Sequence, residues 1–85
     1  MLIIAKPKAN YTDAARKANT QGTVRLRITL LASGSVGNIA VVKELPNGLT
    51  EQAIEVAHKI VFLPARVSGV PVSKSVVFEY GFNIY

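Results

Sequence analysis

Alternation of apolar and polar residues in two separated stretches constrains this 85-residue chain more than any other feature. From Thr23 to Leu30, Val24, Leu26, Ile28 and Leu30 share one side of an extended chain, while Thr23, Arg25, Arg27 and Thr29 share the other. Successive side chains of a strand point to opposite faces, so the pattern predicts one face on a core and one in water. The second stretch, Val72 to Tyr85, is longer. Val72, Val76, Phe78, Tyr80, Phe82 and Ile84 have one parity, and Ser73, Ser75, Glu79, Gly81 and Asn83 the other.

The intervening segments supply the cover. Ser33-Gly34 marks a turn, so Val36 to Lys43 returns as the second arm of a hairpin. Val36 and Ile39 have opposite parity, and a bulge at Gly37-Asn38 would restore the inward phase. After the break at Pro46-Asn47-Gly48, Thr50 is placed to cap a helix, with Leu49 and Ile54 at the spacing of a hydrophobic staple. Ala53, Ile54, Ala57, Ile60 and Val61 form its apolar arc, and Glu51, Gln52, Glu55, His58 and Lys59 lie outside it. Pro64 is read as its stop, and Gly69-Val70-Pro71 as the turn into the last strand. Upstream, Thr12 caps a short helix beginning Asp13-Ala14-Ala15-Arg16, with Asp13 suited to the positive helix end. Leu2 to Ala5 reads as a short strand or arm closed by Lys6-Pro7. The expected fold class is α+β: two helices packed on one face of a small, mainly antiparallel three-stranded sheet, to which the N-terminal run can add a short extra strand. No repeat or linker divides residues 1–85, which read as a single domain.

Composition narrows the function classes. A domain of this size buries about 60% of the surface its unfolded chain exposes, enough for one thin core. No apolar run approaches a membrane span, and Leu2 to Ala5 is too short for a signal peptide, so any anchor or targeting segment is expected elsewhere. The absence of cysteine removes disulfides, thiolate metal sites and cysteine nucleophiles. The net charge of +5 is spread thinly along the chain, which fits a solvated surface better than a nucleic-acid patch.

Candidate catalytic groups run out quickly. His58 is the only histidine and falls on the polar side of its helix; the carboxylates are Asp13, Glu44, Glu51, Glu55 and Glu79. Neither paired acids nor metal-ligand spacing results, and no serine has a base in a recognisable arrangement, so neither enzyme activity nor a cofactor or metal is expected. Gly34-Ser35-Val36-Gly37 matches the G-x-x-G loop of nucleic-acid-binding KH domains, but that loop joins helices and this one joins strands. The hairpin turn accounts for both glycines. Arg25 and Arg27 are expected to meet Glu79 across the sheet or to stay solvated.

Six signals occur in a fixed order: Tyr11-Thr12-Asp13-Ala14-Ala15-Arg16, Gln21-Gly22-Thr23-Val24, Ala32-Ser33-Gly34-Ser35-Val36, Gly48-Leu49-Thr50-Glu51-Gln52-Ala53, Val61-Phe62-Leu63-Pro64-Ala65, and the alternating C-terminal strand. From about Pro7 to Tyr85 this order resembles the C-terminal domain of the TonB family of energy transducers. Phe62-Leu63-Pro64 matches the family's aromatic-x-Pro signature; on physical grounds Phe62 plugs the gap between helix and sheet. The family commonly has Tyr-Pro where this chain has Tyr11-Thr12, and often tryptophan near the position of Ile60.

The resemblance implies a non-enzymatic, force-transmitting module of the periplasm, tethered to the inner membrane by an upstream helix and a Pro-rich linker, and coupled to the ExbB/ExbD motor. Its implied partner is the TonB-box peptide of an outer-membrane transporter, which adds to the final strand as another strand. The implied peptide-binding residues are Val72, Ser73, Lys74, Ser75, Val76, Val77, Phe78, Glu79 and Tyr80, with Lys8, Asn10 and Tyr11 from the N-terminal segment; Lys8 matches a polar position that contacts the peptide in some members. A competing expectation is that Leu2 to Ala5, or a second copy of the chain in a strand-mediated homodimer, covers part of that edge. An adaptor domain of a larger envelope protein, binding peptide or cell wall, is the alternative function, and a small nucleic-acid-binding domain the remote one.

Overall fold

The computed structural model describes residues 2–83, so Ile84 and Tyr85, which the sequence assigns to the final strand, lie outside the described residues. In chain order the elements are β1 (Leu2–Ala5), α1 (Asp13–Lys17), β2 (Gly22–Leu30), β3 (Val36–Lys43), α2 (Leu49–Ala57), β4 (Val61–Leu63), β5 (Ala65–Val67), β6 (Val70–Val72) and β7 (Lys74–Phe82). They form three antiparallel sheets, β3-β2-β7, β1-β4 and β5-β6.

The α+β expectation is corrected by this arrangement. Strands hold 48% of the described residues and helices 17%, so the fold is mainly β and α+β only in a loose sense. The difference arises between Ile60 and Ser73. α2 ends at Ala57, seven positions before Pro64 in sequence, and the chain leaves it through turns in which Lys59 N–H donates to Val56 O and Ile60 N–H to Ala57 O. Pro64 therefore separates two strands and stops no helix. Ser68 and Gly69 both take positive φ, 51° and 81°, which suits the tight two-residue turn that joins β5 to β6. Val67 and Val70 flank that turn and are exposed. Val72 thus belongs to this hairpin, and the last strand begins at Lys74. β1 likewise adds no strand to the main sheet; it pairs with β4, Leu2 opposite Leu63 and Ile3 opposite Phe62.

The long alternating stretches do form the neighbouring strands β2 and β7. Val24, Leu26, Ile28 and Leu30 are buried from one, Phe78, Tyr80 and Phe82 from the other, in one core with Ala15 of α1 and Leu49, Ala53, Val56 and Ala57 of α2. Across the β2–β3 hairpin, Leu30 pairs with Val36 but Ile28 with Ile39, which places one extra residue on β3 at Gly37-Asn38. A Cβ at Gly37 would lie 3.0 Å from Leu31 Cδ2 and 3.2 Å from Thr29 O, so a larger residue at the bulge would have to push the Leu31 side chain and the Thr29 carbonyl aside by a few tenths of an ångström.

The helix starts use different devices. Thr12 caps α1 as its sequence suggests: its Oγ1 accepts Ala15 N–H at 3.0 Å and donates to Asn47 O at 2.5 Å, tying the helix to the loop before α2. α2 is capped by Gly48 in the left-handed region without a side-chain hydrogen bond. Leu49 and Thr50 are inside the helix, so neither the Thr50 cap nor the Leu49–Ile54 staple exists in the form expected from sequence. Val56 replaces Val61 on the buried side, because the chain has left the helix before Val61.

Thr50 is buried, and its hydroxyl accepts Leu45 N–H at 2.8 Å and donates to Leu45 O at 2.9 Å. Thr50→Ala leaves both backbone groups without that partner and is expected to cost about 1–3 kcal/mol. His58→Ala, on the exposed side, should change stability by less than about 0.5 kcal/mol. Equal urea midpoints for the two variants would disprove the assignment.

Candidate functional site: the free edge of the last strand

β2 is the central strand of its sheet and β7 pairs with it alone, so among the described residues one side of β7 carries no partner strand. Which groups face that side follows from two contacts. Leu31 N–H donates to Ser35 O on the β3 side, and backbone direction alternates along a strand, so the even-numbered residues of β2 face β7. Val24, Leu26 and Ile28 lie opposite Tyr80, Phe78 and Val76, which therefore turn their backbone groups toward β2. Ser75, Val77, Glu79 and Gly81 turn theirs toward the open edge. Independently, Glu79 O accepts a hydrogen bond from Lys6 Nζ at 2.5 Å, as an outward carbonyl would.

The N-terminal segment after β1 lies along the C-terminal half of this edge. Lys6 to Ala9 and Tyr11 form one wall of a groove of about 490 Å³, and Glu79 to Asn83 form the other. Tyr11 fixes the arm: its ring meets Phe82 edge-on with centroids 5.6 Å apart, and its hydroxyl donates to Thr20 O at 2.9 Å. Lys6 Nζ lies 4.5 Å from the centroid of Tyr80 and 5.7 Å from that of Phe78. The Tyr80 hydroxyl is buried without a hydrogen-bond partner among the described residues, and burial pushes its phenol above the ordinary tyrosine range.

The opposite face of β7 carries polar cross-strand pairs. Arg25 Nε lies 3.0 Å from Glu79 Oε1, and Thr29 Oγ1 is 3.2 Å from Ser75 Oγ. Both ends of the ion pair are more than half exposed, so it contributes at most about 1 kcal/mol. Its consequence is local: the carboxylate of Glu79 is engaged on the side away from Lys6.

Of the residues singled out from sequence, Lys8, Tyr11, Glu79 and Tyr80 meet in the groove. Lys74, Ser75, Val76, Val77 and Phe78 continue along β7 beyond it, whereas Val72 sits in β6 and Ser73 precedes β7, its Oγ accepting Ala32 N–H at 3.0 Å. Asn10 is exposed and lies outside the groove walls. Leu2 to Ala5 leaves the edge uncovered, being paired with β4. Sequence reasoning passes over Lys6, because a lysine before a proline reads only as the end of a strand.

Among the described residues, no three His, Cys, Asp or Glu are grouped to hold a metal ion, and no helix is long and apolar enough to cross a membrane. What the geometry offers is backbone donors and acceptors beside a partly aromatic groove.

No individual curated protein matches the sequence. The family described as Gram-negative bacterial TonB protein C-terminal matches residues 7–84, a span that takes in the N-terminal arm, both helices and the open-edged strand. The chain belongs to that TonB C-terminal family.

Proposed function

We propose that the domain recognises an extended peptide, the TonB box of an outer-membrane transporter, by adding it to β7 as a fourth strand, and that it transmits force through that pairing. The observation that carries this reading is the open edge of β7, on which Ser75, Val77, Glu79 and Gly81 present backbone groups in strand register. Such pairing draws affinity from the main chain and selectivity from alternate side chains. It also suits a transducer, since a load along the peptide is shared by several parallel hydrogen bonds. Periplasmic placement, an inner-membrane tether and coupling to the ExbB/ExbD motor accompany this reading as properties of TonB-type transducers.

Proline scanning with amide chemical shifts tests it. Val77→Pro removes an N–H that faces the open edge and leaves the β2 ladder intact, as proline at a strand edge permits. It is expected to abolish binding of a TonB-box peptide, while Val77→Thr retains it. Peptide-induced shifts should concentrate on residues 75–81 and on Lys6 to Tyr11. Shifts confined to Arg25, Arg27 and the Gly34 turn would overturn strand addition.

A further inference from the structure

We propose that Lys6 selects the strand that β7 accepts: its ammonium guards the Glu79 carbonyl and yields it readily only to a peptide carrying a carboxylate on the Tyr80 side. This rests on the edge-addition reading and names the chemical class of partner. Lys6 Nζ occupies Glu79 O at 2.5 Å, the acceptor that the N–H of an added strand needs. The rings of Tyr80 and Phe78 beneath it favour a cation at that spot. A neutral peptide must therefore either leave one pairing unmade or displace a charge-assisted hydrogen bond.

Among the described residues, no carboxylate pairs with the ammonium to offset that displacement. Among the described residues, the one ion pair is Arg25–Glu79, so the Glu79 carboxylate is committed to the other face. Lys8 adds a second positive charge to the groove wall. A carboxylate on the incoming strand supplies what the site lacks, and strand geometry fixes where it must be. The peptide residue opposite Glu79 points its side chain to the Arg25 face; its two neighbours, opposite Phe78 and Tyr80, point theirs to the Lys6 face. Selectivity for acid should therefore alternate with a period of two along the peptide.

Isothermal titration on the intact chain, with shift mapping to confirm the site, tests this using three forms of one TonB-box peptide. One is neutral, one carries Glu at the position opposite Tyr80, and one carries Glu opposite Glu79. The protein variants are Lys6→Met, which keeps the aliphatic bulk of the exposed side chain, and Lys6→Arg, which keeps the charge. Lys6→Met is expected to tighten the neutral peptide about 2- to 5-fold and to weaken the peptide with Glu opposite Tyr80 by a similar factor. Lys6→Arg should preserve the preference for that acidic peptide, and added salt should reduce it. Binding on β7 with the same affinities for Lys6 and Lys6→Met overturns the guard and leaves strand addition standing. Equal gain from Glu at both peptide positions overturns the face assignment. Failure of every peptide to bind either protein overturns both readings.

Discussion

Phe62→Ala is expected to destabilise the domain by about 3–5 kcal/mol, read as a drop in the urea midpoint. Phe62 is 5% exposed and stands between Val61 and Leu63, which are both about half exposed. It is thus the inward residue of β4, and its cross-strand partner Ile3 is the partly buried residue of β1. Truncation removes the ring from the core and loosens the β1–β4 ribbon at the same point. Since small domains are stable by only about 5–15 kcal/mol, the loss consumes a large share of the total. Leu63→Ala removes an exposed side chain from the same strand and should cost less than about 0.5 kcal/mol. Similar midpoints for the two variants would contradict the packing described here.

The burial of Phe62 is legible in sequence, but for an incomplete reason. The aromatic-x-Pro signal marks a buried aromatic beside a chain break, and both exist. The helix ends earlier, at Ala57; a helical period cannot distinguish Ile60 and Val61 continuing an arc from residues that lead into and open a strand. Length decides such cases, and three-residue strands are too short to show a period of their own. β5 and β6 carry no legible period for that reason, although Ser68-Gly69 is a turn-forming dipeptide. The nine-residue strands β2 and β7 could be read because each repeats its alternation several times and buries that face.

The candidate site was legible by half. Alternation in the last strand identifies a half-buried strand and its inward face, but edge or centre is a property of the whole sheet order. Only the β3-β2-β7 order shows that β7 is open, and only the parity of β2 shows that Glu79 and Val77 face outward while Phe78 does not. Lys6 was invisible for a different reason. Its role depends on a contact with Glu79, 73 positions away in sequence, and neither periodicity nor local composition encodes such a contact.

Phe82→Ala should match Phe62→Ala in magnitude, about 3–5 kcal/mol, and should in addition disorganise the groove. Phe82 is 1% exposed, the largest of the fully buried side chains, and lies opposite Gly22 at the end of the β2–β7 ladder. Its ring is also what Tyr11 packs against, so it joins the core to the arm that carries Lys6. Removing it leaves a cavity beneath Tyr11, which keeps the hydroxyl bond to Thr20 O and its remaining packing on the core. Amide shifts of Lys6, Lys8 and Glu79 should therefore move in Phe82→Ala even though none of these residues is replaced. Phe82→Leu, which refills part of the volume without an aromatic edge, should recover much of the stability. A double-mutant cycle between Tyr11→Leu and Phe82→Leu is expected to return a coupling of about 0.5–1.5 kcal/mol for the ring pair. Zero coupling, with arm shifts unchanged in Phe82→Ala, would show that the arm is held to β7 by something other than this contact, and would remove Phe82 from the support of the site.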